Sequence, residues 1–273
     1  MAMRISEHYA WIPEKKQRKN SPLLPKSLRA VIIGKSGCGK TTLLINLILR
    51  REWLDYNRLN VFGKSLHQPE YKILKYGFEK GLSKEQLSLI FQEQETLRKK
   101  YSPYEIMDAM AEDNDNNNNN NNDPPDTIKA NFYTDCGNIP DPSELNEYEN
   151  NLLILDDCIL EKQNKAEAYY TRGRHNNCDT IYISQNYFRL PRQTIRENAN
   201  FFILFPQDFK NITHIYADHC TDITIKEFKK FCYKTWENGK HNFVTIDLTS
   251  SLTNGKYRKN LDSFYFPEES GEV

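Results

Sequence analysis

Apolar positions along the chain fall into two kinds of pattern. Residues 28–33, 152–155, 180–184 and 201–205 are nearly unbroken apolar or β-branched runs without alternation. Such runs predict strands covered on both faces, as in a parallel sheet. Residues 58–63 read as a further short strand closing on Gly63, and 243–248 as another. Between them the apolar residues recur at helical spacing. Leu43, Leu44, Leu47 and Ile48 mark a helix within 42–53, and residues 83–100 mark another, opened by a possible Ser83/Gln86 capping box. Residues around 194–198, 208–218 and 225–236 complete the helical set. Strands alternating with helices predict βαβ units with right-handed crossovers, hence an α/β three-layer sandwich around a mainly parallel sheet.

Other segments do not fit that alternation. Residues 1–27 hold three prolines and the basic cluster Lys15-Lys16-Gln17-Arg18-Lys19, and read as an arm ahead of the domain. Around 112–126 the chain runs through seven consecutive asparagines to Pro124-Pro125, with no apolar residue in 113–126, and is expected to be a disordered insertion. The organisation read from this is an arm at 1–27, one domain at 28–250 carrying the insertion, and a polar tail at 251–273. That tail either packs as an edge hairpin or stays loose.

The first apolar run leads into Gly34-Lys35-Ser36-Gly37-Cys38-Gly39-Lys40-Thr41, followed by Thr42 at the start of the helix. The spacing is that of the phosphate-binding P-loop, G-x-x-x-x-G-K-[ST]. Glycines allow the backbone to turn its N–H groups inward, and the helix adds the positive end of its dipole. Lys40 is expected to reach the β- and γ-phosphates of ATP, and the Thr41 hydroxyl to sit on Mg²⁺.

Residues 151–157 supply the second anchor, because an apolar strand there ends in Asp156-Asp157. Ligands in open α/β sheets bind at the carboxyl ends of strands. Asp156 is the expected Mg²⁺ ligand and Asp157 the acid that polarises the attacking water. Gln185 ends the next strand and is a candidate for orienting that water. Arg172, Arg174 and, third, Arg196 are candidates for an arginine supplied by an adjacent subunit.

Composition narrows the partners. Lys and Arg together number 37, as do Asp and Glu, so any nucleic-acid contact must be local. Six cysteines without C-x-x-C pairing, one inside the phosphate loop, suit reduced thiols in an intracellular compartment. No apolar stretch approaches the roughly 18 residues of a membrane span, so no membrane partner is expected. An Asn-Lys-x-Asp guanine-reading motif is absent, which weakens a GTP-driven switch; a nucleotide-dependent switch or scaffold with slow hydrolysis stays open as the alternative.

Residues 34–41, 151–157, Arg172-Gly173-Arg174-His175 and Ile183-Ser184-Gln185-Asn186, with 62–71 and 194–200, together resemble the FtsK/HerA superfamily of DNA-pumping ATPases. The likeness spans roughly 28–250 and is nearest to the genome-packaging ATPases of large eukaryotic DNA viruses, virophages and Polinton-type transposons. It implies an ASCE or RecA-like P-loop NTPase fold and a pentameric or hexameric ring. Such a ring threads double-stranded DNA into a capsid, with a capsid or portal component as partner and the host cytoplasm or nucleus as the site. It also implies that Asp157 stands where Glu is more usual, one methylene shorter, and that Gln185 is the sensor.

Overall fold

The computed structural model describes residues 19–92, 101–117, 128–237 and 239–267. Among the described residues nine strands form one sheet in the order β3-β2-β4-β5-β1-β6-β7-β8-β9. They are β1 (Arg29–Ile33), β2 (Arg58–Gly63), β3 (Lys129–Tyr133), β4 (Asn151–Asp156), β5 (Cys178–Ser184), β6 (Phe201–Leu204), β7 (Val244–Asp247), β8 (Tyr257–Lys259) and β9 (Ser263–Tyr265). The first six are mutually parallel and the last three add antiparallel. The unbroken apolar runs are the reason: β4 and β5 are buried at every position, which only a sheet covered on both faces provides.

Helices cover both faces. On one lie α1 (Lys40–Leu49), α2 (Pro69–Glu79), α3 (Lys84–Gln92) and α4 (Pro103–Asn117), packed on Ala30, Ile32, Val61, Ile154 and Ile183. On the other lie α5 (Asn164–Arg172), α6 (Phe209–His219) and α7 (Ile225–Glu237), packed on Val31, Ile33, Leu155, Tyr182 and Phe202. Successive strand residues serve opposite cores, as the period of two requires. The capping box of α3 is present: the Ser83 amide donates to Gln86 Oε1 at 3.0 Å and the Gln86 amide to Ser83 Oγ at 3.3 Å. The helical segment expected around 194–198 is a single π-type turn at Arg192–Arg196.

One expectation meets a different outcome. Helix α4 runs through Asn117, so the segment expected to be disordered from about 112 begins inside a helix; 118–127 lie outside the described residues. Residues 93–100, expected as the second half of a helix, also lie outside them. The segment read as a tail takes the first of the two forms open to it, the edge hairpin β8–β9, and Tyr257 and Arg258 are buried in it. Arg258 explains the burial: its Nη2 pairs with Asp247 Oδ2 at 2.7 Å, Nη1 donates to the Leu23 carbonyl at 2.6 Å and Nε to the Gly255 carbonyl at 2.7 Å. One guanidinium therefore ties the entry to β1 to the far edge of the sheet.

Candidate nucleotide-binding and hydrolysis site

The loop between β1 and α1 lies at the carboxyl rim of the parallel strands. The Gly34 amide donates to the Ser184 carbonyl at 3.1 Å, so the loop leaves β1 still paired to β5. A Cβ on Gly34 would lie 2.5 Å from Cys38 Sγ and 2.7 Å from Phe205 Cβ, which is why the loop can fold flat only on glycine. Gly39 caps α1 in the left-handed region at φ 106°, and no side chain takes up the first amides of the helix. Those amides are the anion-binding feature of a helix N-terminus. Lys40 Nζ donates to the carbonyls of Gly34 at 2.7 Å and Lys35 at 2.8 Å, bridging the loop from end to end. Burial raises the Cys38 thiol, against the pull of the nearby Lys40 charge.

Strand β5 stands between β1 and β4, with Ile32 opposite Ile183 and Ile183 opposite Asp156. This sheet order brings distant parts of the sequence to one rim. A cleft of about 690 Å³ there is lined by Ser36, Gly37, Gly39, Lys40, Thr41 and Thr42 from the loop and α1. Asp156 and Asp157 at the end of β4 and Gln185 after β5 line it too, together with Ser65, Gln68 and Glu70 from the stretch 62–71, whose part in the site the sequence did not mark, and with Arg189 and His241. The volume falls within the range of small-molecule sites.

The two acids differ in setting. Asp156 is 8% exposed, and its Oδ2 accepts from the Tyr71 hydroxyl at 2.6 Å. Burial raises its carboxyl above the usual range, Tyr71 and Lys40 lower it, and Asp157 raises it. Asp157 is exposed, has left-handed backbone at φ 54°, and its Oδ2 accepts from Ser65 Oγ at 3.0 Å. An aspartate tolerates that region better than a branched residue, and the turn faces its carboxylate away from the core. His241 reaches the loop from the segment before β7, its Nδ1 3.1 Å from the Cys38 carbonyl. Nothing in the periodicity of the sequence marks His241, because the sheet order alone brings it there.

The arginine candidates are placed apart from this cleft. Helix α5 runs back from the rim that carries Asp156, so Arg172 and Arg174 precede β5 at the opposite end, where Arg174 lies near Arg29. The length of β5, roughly 3.3 Å per residue, separates them from Gln185 by on the order of 20 Å. Arg172 is 61% exposed and reaches Asp141 Oδ2 at 3.4 Å. Arg196 is 8% exposed, paired with Asp218 Oδ2 at 2.8 Å and stacked over Tyr187. That burial takes Arg196 out of reach of an adjacent subunit. Arg189 is the arginine that lines the cleft.

A glycine loop between β1 and α1, an acid-ended strand two places along the sheet and a strand wedged between them are now all in place. The chain is a P-loop NTPase by fold. A sequence profile of the ABC transporter family matches residues 21–134, less than half of the chain, taking in the phosphate loop and ending before β4. No curated protein matches. Among solved structures the chain is similar to the genome packaging NTPase B204 from Sulfolobus turreted icosahedral virus 2 in complex with sulfate. The identity is 14%, over 82% of this chain and 92% of that one, with a TM-score of 0.48. It is also similar to VirB4 of Thermoanaerobacter pseudethanolicus, at 14% identity over 81% of this chain and 87% of that one, with a TM-score of 0.44. No helix among the described residues is long and apolar enough to cross a membrane.

Proposed function

We propose that this P-loop NTPase is an ATP-driven translocase of double-stranded DNA that packages a viral or virus-like genome into a capsid, hydrolysing ATP at the cleft between α1 and β4. The observation that carries the enzymatic half is the meeting of Lys40, Thr41, Asp156, Asp157 and Gln185 in one cleft from three separate strands. The DNA-pumping half rests on the FtsK/HerA resemblance of the sequence.

The residues fit a magnesium ion. Hydroxyl and carboxylate oxygens are the hard ligands it prefers, and a buried carboxylate raised by desolvation has its charge to gain from a cation. Thr41 and Asp156 would hold it, and when bound it neutralises charge on the β- and γ-phosphates. Lys40 binds the same phosphates, swinging from the loop carbonyls it bridges. The exposed Asp157 takes the proton of the attacking water and Gln185 orients that water. Arg172 or Arg174 of another copy completes the charge stabilisation in a ring, because neither reaches the cleft of its own chain.

Steady-state ATP hydrolysis with and without double-stranded DNA, over a salt series and alongside a measurement of oligomer size, tests this. DNA should stimulate turnover in an oligomer. The stimulation should fade between about 50 and 200 mM salt, as counterions released from the phosphates into more concentrated salt gain less entropy. A monomer whose turnover ignores DNA would favour a nucleotide-dependent switch instead.

A further inference from the structure

Strand β2 is the neighbour of β4, with Gly63 opposite Asp156, so the chain leaves β2 directly beside the acid pair. The next eight residues return two hydroxyls to those acids. Ser65 Oγ donates to Asp157 Oδ2 at 3.0 Å, and Tyr71, in the first turn of α2, donates to Asp156 Oδ2 at 2.6 Å. Pro69 opens α2 and fixes the backbone between them, while Gln68 and Glu70 from the same stretch line the cleft. Tyr71 is 1% exposed, so its hydroxyl is as unable to turn to water as the carboxylate it binds.

We propose that segment 63–71 is a two-point clasp on the acid pair. In it Tyr71 is a positioning residue that sets Asp156 as a metal ligand, and Ser65 one that sets Asp157 toward the attacking water. The inference deepens the Mg·ATP reading of the cleft and rests on it. A ligating carboxylate whose rotation is fixed by an outer hydrogen bond binds its metal without first being ordered. Loss of such outer partners typically costs 10- to 100-fold in metal affinity or activity. The exposed Asp157 has no burial to hold its rotamer, so the Ser65 hydroxyl supplies the restraint. Both restraints come from one short segment, so a shift of α2 would move both acids together.

The test uses the full chain and the binding of a fluorescent ATP analogue, titrated with magnesium in chelator-buffered solution, for wild type, Tyr71→Phe and Ser65→Ala. Tyr71→Phe should raise the magnesium concentration for half-maximal binding by about 10- to 100-fold while leaving affinity in EDTA unchanged. Ser65→Ala should leave the magnesium curve in place and lower kcat about tenfold without changing KM. A purely structural Tyr71 would lower the thermal midpoint with an unaltered magnesium curve, which overturns its half of the clasp. An unchanged kcat in Ser65→Ala overturns the other half, and that part-exposed position stays informative even if Tyr71→Phe does not fold. Wild type that gains no affinity from magnesium overturns the clasp together with the Mg·ATP reading, whereas gains that are equal in wild type and Tyr71→Phe overturn the clasp alone.

Discussion

At the scale of single residues, the two neighbouring aspartates are separated by one φ angle into different settings. The buried Asp156 is held by Tyr71, and the exposed Asp157 is turned outward at φ 54°. Replacing Asp157 by Asn keeps its hydrogen bond from Ser65 and removes the base. Single-turnover hydrolysis should fall by about 10²- to 10⁴-fold while ATP affinity stays within a few-fold. His219, at the end of α6, makes a different prediction. Tyr187 gives its one hydroxyl proton to Asp218 at 2.7 Å and so accepts from His219 Nε2 at 2.8 Å, which suits a neutral ring. Burial pushes the His219 imidazole down to about 4 from 6.5, Asp218 opposing. Between those values the unfolded chain holds the extra proton, so this stability is complete above pH 6.5 and is lost as pH falls toward 4. The slope is about 1.4 kcal/mol per pH unit. Urea midpoints at pH 7 and pH 5 should differ less in His219→Gln than in wild type.

At the scale of elements, the legible parts of the chain were those in which burial itself dictates the residue type. The strands β1, β4, β5 and β6 announce themselves because both faces are covered, and the P-loop because its glycines answer a backbone need. Strand β3 is an edge strand with the half-exposed sequence Lys129–Tyr133, and no periodicity distinguishes it from a loop. Its place is set by pairing with β2. The same limit left β8 open between an edge hairpin and a loose tail, since Tyr257 and Arg258 stand in a polar stretch. The burial of Arg258 depends on partners 11 and 235 positions away, Asp247 and Leu23, and that of Tyr257 on Asp222, 35 positions away. The clasp on the acid pair was hidden likewise, since Ser65 and Tyr71 meet Asp157 and Asp156 only through the β2–β4 pairing. Arg258→Ala strands a buried carboxylate and should destabilise the fold by about 3–5 kcal/mol in chemical denaturation. Arg258→Met with Asp247→Leu should recover much of that loss.

At the scale of the whole molecule, the sheet sorts function by its two rims. The carboxyl rim gathers the loop, both acids and Gln185, and the amino rim holds Arg172 and Arg174 some β5 length away. In the proposed ring the rim of one copy would meet that of the next, and this can be tested by complementation. Arg172→Ala/Arg174→Ala protein and Lys40→Ala protein should each be nearly inactive alone. Mixed, they should regain turnover, because the Lys40→Ala copy still offers its arginines to an intact neighbouring loop. No regain would place the missing charge within one chain, where Arg189 is the residue at hand. Beneath all of this lies the grip on the triphosphate, and equilibrium titration of the wild type and Lys40→Ala with a nonhydrolysable ATP analogue and magnesium tests it most directly. The account predicts saturable binding of one nucleotide per chain by the wild type and at least about 100-fold weaker binding, roughly 2.7 kcal/mol, by the variant. Equal affinities, or no binding by the wild type, would contradict it.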